Sequence, residues 1–212
     1  MIPKFFMGLV LMMLAAMAFS HIDFNEGKLA AIAPAAGPVK TLVQKDYVPP
    51  IGGAFSLVDD SGKAVTERDL VGDKYHLIFF GFSNCAEACP AMLSTMAWVF
   101  DNLPETARAK LQMVFVSIDP VRDNAAKLRA FVDGFNPAFV GWLGTQEETA
   151  RMAKAYLATA VIPTDAKADD PSWQASHSTL LYLMGPDGRY VTHMRNSDSA
   201  TSIRDRLVEL VK

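Results

Sequence analysis

The chain has 212 residues, half of them hydrophobic, with 20 Lys and Arg against 23 Asp and Glu, for a formal net charge of −3. That length and apolar fraction suit one domain with a sizeable core, and a slightly acidic balance without a basic cluster excludes the electrostatic footprint of a nucleic-acid binder. Two cysteines are too few for a disulfide framework but enough for one bridge or part of a metal site.

At the start, Lys4 is followed by the uncharged run FFMGLVLMMLAAMAF, Phe5 to Phe19. A membrane span needs roughly 17–25 apolar residues, so this run is short for a span and normal for the apolar core of a signal peptide. Ala16-Met17-Ala18 offers a small-x-small cleavage site. Alternatively the run extends through Ile22 as a thin anchor, with Lys4 before it and Asp23 and Glu26 after it, and the lysine leaves the rest of the chain outside the cytoplasm. Residues 1–22 are therefore expected to be a signal peptide or an N-terminal membrane anchor, and both readings export the chain. In a bacterium that places it on the periplasmic side of the inner membrane if anchored, or soluble in the periplasm if cleaved. Residues 23–48, Ala-rich with Pro34, Gly37 and Pro38, are read as a flexible tether. The domain is expected over 49–212.

Within it, AFSLVDDSGKAVT predicts a hairpin about Asp59-Asp60-Ser61-Gly62. YHLIFFGF, 75 to 82, is a continuous apolar run of the kind buried on both faces of a sheet. From Pro90, Leu93, Met96, Ala97 and Phe100 recur at helical spacing. LQMVFVSI, 111 to 118, is a second buried strand ended by Asp119-Pro120, followed by a helix through Leu128, Phe131 and Val132 and a short strand in FVGWLG. ETARMAKAYLAT predicts a further helix, and STLLYLMGPDGRYVTHM a hairpin about Gly185-Pro186-Asp187-Gly188. Ser199 is placed to cap a last helix carrying Ile203, Leu207 and Leu210. Strands alternating with helices predict an α/β fold: a central mixed sheet flanked by helices, with an N-terminal β-hairpin. A β-α-β unit followed by a hairpin and a last helix is the thioredoxin-like arrangement.

The cysteines, in GFSNCAEACP, fall where the first core strand ends and the first long helix begins. At i and i+4 on a helix, Cys85 and Cys89 would have Cβ atoms roughly 5–6 Å apart, near enough for a disulfide or, with sulfurs under about 4.6 Å apart, for one metal ion. A helix N-terminus is expected to stabilise a thiolate, and Pro90 fits a first-turn position. The competing reading is two small buried apolar residues; against it, an exported chain exposes idle thiols to oxidation. Two thiolates suit a soft monovalent copper ion, whereas a divalent one wants an imidazole added. Of four histidines, His21 abuts the export segment, His76 opens a buried strand as a satisfied structural residue, and His193 sits on the outgoing arm of a hairpin. His177 ends the polar loop IPTDAKADDPSWQAS and precedes TLLYLM, the strand expected beside the cysteine strand, so it is the candidate third ligand. Met92 and Met96 are read as core rather than as thioether ligands. Asp119 is read either as a contact for the site or as a turn residue. The acidic loop Asp165 to Asp170 is expected to be mobile without metal and quieter with it, with Trp173 as a reporter.

Together GFSNCAEACP, VFVSIDPVRD and SHSTLLYLMGPDGRY resemble the Sco/SenC family of copper-delivery proteins, in the right order from about Gly52 to the C-terminus. The resemblance implies a thioredoxin-like fold and copper, Cu(I) or Cu(II), bound by Cys85, Cys89 and His177. It also implies a role in building the binuclear copper site of cytochrome c oxidase. The partners would be the copper-bearing subunit of that oxidase or another copper-relay protein, with the membrane engaged through the N-terminal segment. The family commonly has His and Pro flanking the first cysteine, Asp where Glu87 stands, and an acidic residue before the histidine; here Asn84, Ala86, Glu87 and Ser176 occupy those places. None is a ligand, so the departures bear on the surroundings of the metal. Two functions are open: a metallochaperone, which is not an enzyme, and a thiol-disulfide oxidoreductase, in which Cys85 and Cys89 are a redox pair that does not need His177. A closed zinc site is a weaker third reading, since it wants four ligands. A monomer is the default expectation.

Overall fold

The computed structural model describes residues 50–163, 165–170 and 172–211. The export segment, His21 and the tether expected over 23–48 lie outside the described residues. What is described belongs to a unit spanning Asp46–Lys212.

Two short strands, β1 (Ser56–Asp59) and β2 (Ala64–Thr66), form the N-terminal hairpin, with the turn closed by the Asp59 carboxylate accepting from the Ser61 and Lys63 amides. After a single 3₁₀ turn, β3 (Tyr75–Gly81) leads to α1 (Ala88–Asn102) and the short α2 (Glu105–Arg108), then β4 (Leu111–Ser117), α3 (Ala125–Asp133), β5 (Val140–Leu143) and α4 (Gln146–Ala155). A two-residue pair, β6 (Ala160–Val161) with β7 (Ser176–His177), precedes the hairpin β8 (Leu180–Met184) and β9 (Tyr190–Arg195), and α5 (Ala200–Leu210) closes the chain of elements. The main sheet has seven strands in the order β2-β1-β5-β4-β3-β8-β9. Strands β3, β4 and β5 are parallel neighbours, while β8 joins β3 antiparallel, with Ile78 opposite Tyr182. The mixed sheet, the flanking helices and the hairpin are as the sequence predicts, and TLLYLM does lie beside the cysteine strand.

Alternation along β3 shows why an unbroken apolar run is needed there. Leu77 and Phe79 point to one face, where they meet Leu93 and Met96 of α1, Leu128 of α3 and Leu207 of α5. Ile78 and Phe80 point to the other, where the N-terminal hairpin contributes Leu57 and Val65 and the end of α4 contributes Met152 and Tyr156. Burying each large side chain of this kind is worth about 1.5–3 kcal/mol, so the strand that carries the cysteine loop is firmly anchored in the sheet. Helix α1 ends at Leu103, extended at φ −80 and ψ 144, because the residue before Pro104 is pushed out of the helical region. Ser199 accepts from the Ser202 amide and caps α5 as expected.

Three local differences matter. Helix α1 begins at Ala88 rather than Pro90, so Cys85 precedes the helix and the two cysteines are not an i, i+4 pair on one helical face. Helix α4 stops at Ala155, short of the predicted end, as the chain turns through Leu157 at φ 52. That turn feeds β6, and β6 with β7 is too short to show any periodicity in sequence.

Candidate metal centre

The turn 82–87 that leaves β3 is built by backbone and carboxylate bonds. The Cys85 amide donates to the Phe82 carbonyl at 3.1 Å. Ser83 donates to the Asp123 carboxylate from both its amide (3.2 Å) and its hydroxyl. Asp123 also accepts from the Ser117 hydroxyl at 2.6 Å, which ties the cysteine turn to the end of β4. Asn84 accepts from the Lys127 ammonium at 2.6 Å, and that lysine lies 3.7 Å from Asp123. Helix α1 has no side-chain cap at Glu87. Instead the Cys85 sulfur accepts the Cys89 amide at 3.4 Å, so a candidate ligand atom satisfies one of the helix's open N–H groups.

Cys89 sits in the first turn of α1, fully buried, while Cys85 is half-buried. The buried sulfur fits because residue 81 is glycine: a Cβ there would lie 2.6 Å from Cys89 Sγ. Burial pushes the Cys89 thiol well above its ordinary range, and the neighbouring Cys85 charge acts in the same direction. For this cysteine the expected lowering at a helix start is therefore overturned, since desolvation of a thiolate outweighs the pull of the first-turn amides. A bound cation would reverse that balance, because a coordinating thiol is deprotonated outright.

His177 arrives on β7, where it faces Ala160 of β6. It lies in this short strand rather than at the end of a loop. Its ring stands edge-on to Phe79 (6.1 Å between centroids, 84°) and Phe82 (5.7 Å, 89°). Nδ1 lies 2.9 Å from the Ser178 carbonyl, which can only accept, so the neutral ring carries its proton on Nδ1. The bare Nε2 faces the sulfurs, 3.7 Å from Cys89 and 4.0 Å from Cys85. All three ligand atoms lie within 4.8 Å of one another, and among the described residues they form the single such cluster of His, Cys, Asp and Glu. Bond lengths of about 2.3 Å to sulfur and 2.0–2.1 Å to nitrogen in a trigonal plane put sulfur and nitrogen about 3.8 Å apart. The two observed separations bracket that value. The residues fit one soft, three-coordinate ion, with the histidine tautomer set by its second hydrogen bond.

The other candidates separate from this cluster. Met92 and Met96 are buried in the α1 core, as expected. His76 is buried with Nδ1 lacking a partner among the described residues, so it is not the satisfied histidine predicted there, and burial lowers its pKa and keeps it neutral. His193 Nδ1 pairs with the Tyr190 hydroxyl at 2.6 Å. Asp119 is both turn and ion-pair residue: it accepts the Arg122 amide at 3.1 Å and Nε at 2.6 Å. Arg122, Asp123 and Gly81 escaped sequence reasoning, although SIDPVRD, in which Asp119 stood out, carries a carboxylate on either side of the arginine.

The chain is 33% identical over 194 residues to the mitochondrial SCO1 homolog 1 of Arabidopsis thaliana, covering 91% of this chain and 54% of the relative. It is 36% identical over 165 residues to mitochondrial SCO1 of Saccharomyces cerevisiae, covering 77% and 55%. The chain thus spans about half the length of these curated relatives. The crystal structure of yeast Sco1 with copper bound superposes with a TM-score of 0.71 at 33% identity, over 76% of this chain and 88% of that one. The fold is therefore thioredoxin-like. The SCO1/SenC profile matches residues 43–212, and with the relatives it shows that this chain belongs to the SCO1/SenC family.

Proposed function

We propose that this protein binds copper through Cys85, Cys89 and His177 and delivers it to the binuclear copper site of cytochrome c oxidase as that enzyme is assembled. The observation that carries the reading is the placement of Nε2 at 3.7 and 4.0 Å from two sulfurs, with its lone pair directed at them. Two thiolates supply the soft ligands that hold Cu(I), and the imidazole completes a site that also holds Cu(II). Cys85 is the half-buried member and so the sulfur open to a receiving ligand, and transfer proceeds by ligand exchange starting there. The recipient is the copper-bearing subunit of the oxidase or another relay protein. The domain over 49–212 acts outside the cytoplasm, on the periplasmic side of the inner membrane when residues 1–22 are retained as an anchor and 23–48 as its tether, or soluble when they are cleaved. Metal analysis of the reduced domain tests the reading: about one copper per chain in the wild type, little in Cys85→Ser or Cys89→Ser, and weakened binding in His177→Ala. Equal copper in wild type and both serine variants would overturn it.

One observation favours a second role for the same pair. Its sulfurs lie within 4.8 Å of each other and only Cys85 is accessible. That asymmetry is what a thiol exchanger needs, with an exposed attacking sulfur and a buried resolving one. Thiol exchange that persists in His177→Ala while cellular activity is lost assigns copper delivery as the function.

A further inference from the structure

His177 is carried by a hairpin fastened firmly at its base and lightly at its tip. At the base, β6 pairs with β7, the Thr159 amide donates to the Ser178 hydroxyl at 2.7 Å, and the Ser178 amide donates to the Thr159 carbonyl at 3.1 Å. The connection between the two strands, 162–175, has no helix or strand among its described residues, and connections of this length in folded domains are usually either functional or linkers. It folds on itself through the Trp173 indole donating to the Lys167 carbonyl at 3.0 Å and the Ser172 amide donating to Asp170 at 2.8 Å. Among the described residues, one hydrogen bond joins this segment to the rest of the domain: Arg122 Nη1 donates to the Trp173 carbonyl at 3.1 Å. The same guanidinium lies 3.3 Å from the Trp173 ring centroid and 5.7 Å from that of Phe82.

Arg122 is a rigid post. Its side chain is 2% exposed against an Asp119 side chain at 0%, with Nε–Oδ2 at 2.6 Å, and the Asp119 amide is itself held by the Ser117 hydroxyl at 3.2 Å. Phe82 starts the cysteine turn and stands edge-on to the His177 ring. The guanidinium thus neighbours both the segment that carries the sulfurs and the segment that leads into the imidazole. Buried ion pairs are poor stabilisers, and apolar replacements are often as stable. Here Nη2 is buried without a partner among the described residues, which adds a desolvation cost. A pair retained at such a cost fits positioning better than stability.

We propose that Arg122 is a positioning residue, a latch that clamps the hairpin through Trp173 and holds His177 over the two sulfurs, so that its opening sets how fast metal enters and leaves. The kinetic half of this inference rests on the copper reading of the trio; the structural half does not. Losing the ring contact removes a partly desolvated cation–π interaction, which corresponds to about a tenfold change in the open population.

The test compares wild type, Trp173→Ala, Trp173→Phe and Arg122→Lys, the last keeping a cation for Asp119 while losing the planar stack. Amide exchange in the metal-free reduced protein is expected to quicken about tenfold over 165–176 in Trp173→Ala and Arg122→Lys, with β3 and β4 unchanged and Trp173→Phe close to wild type. Removal of Cu(I) by excess bicinchoninate is expected to quicken by a similar factor. The sulfur-to-Cu(II) absorption band should keep its position, because the ligands are intact. Wild-type exchange and removal in both Trp173→Ala and Arg122→Lys would overturn the latch. A wild type that takes up no copper, with exchange still quickened in the variants, would leave the clamp standing and overturn its kinetic role together with the copper reading.

Discussion

Replacing Gly81 with alanine tests the packing that admits the buried ligand. A Cβ at this position would lie 2.6 Å from Cys89 Sγ and 2.8 and 2.9 Å from two Phe115 ring carbons. Ordinary carbon contacts begin near 3.5 Å, so the added methyl is roughly 0.6–0.9 Å inside them. Neither neighbour yields easily. Phe115 is fully buried between Phe79 and Phe131, and Cys89 belongs to the first turn of a helix whose next turns are packed into the core. Overpacking of this kind costs about 1–3 kcal/mol, which in a domain of this size lowers Tm by about 2–12 °C. The displaced sulfur also loses its alignment with His177 Nε2, so copper affinity falls along with stability. Thermal unfolding of the reduced, metal-free domain and a competitive copper titration measure the two effects. Adding Cys89→Ala to Gly81→Ala should recover part of the stability, since the Phe115 overlap remains. An alanine variant with unchanged Tm and unchanged copper affinity would refute the reasoning.

Other expectations rest on the same contacts. Asp119→Ala leaves the buried Arg122 cation without its carboxylate and should cost about 3–5 kcal/mol in urea unfolding; a loss under about 1 kcal/mol, the range of an exposed pair, would mean that the pair is not buried. Met92→Leu keeps the volume of a core side chain and should leave copper stoichiometry and absorption unchanged; a shifted band would make Met92 a ligand. Alkaline stability carries a sign fixed by Cys89. Its folded thiol titrates far above the ordinary 9.0, so above about pH 9 the unfolded chain sheds a proton that the folded one keeps. Stability of the reduced apo-protein should then fall as pH rises past 9, by at most about 1.4 kcal/mol per unit from this group. Cys89→Ala should flatten that arm between pH 9 and 10, and an identical slope in both proteins would contradict the burial of the thiol.

Much of this architecture was readable because its signals are local. YHLIFFGF announces a strand covered on both faces, and the two glycine-bearing turns announce their hairpins. The clustering of Cys85, Cys89 and His177 was readable because His177 stands just before the strand that pairs with β3, so adjacency in the sheet stands in for distance in the chain. What escaped depends on contacts between distant residues. Arg122 meets Trp173 across 51 positions and Ser83 meets Asp123 across 40, and no periodicity encodes either. Gly81 is needed for a close approach that exists only after α1 has docked. The Cys89 thiol was misjudged because a helix start and a buried core make opposite demands on a thiolate, and only the packing decides between them. Strands of two residues, such as β6 and β7, are below the length at which alternation can be seen.

The central claim is that two sulfurs and one imidazole of a single chain share one copper ion. X-ray absorption of the Cu(I)-loaded reduced domain tests it most directly. The account predicts two sulfur scatterers at ~2.3 Å and one nitrogen at ~2.0 Å, using zinc distances as a guide, with the nitrogen shell lost in His177→Ala. A shell of sulfur alone in the wild type, or one that His177→Ala leaves untouched, would contradict it.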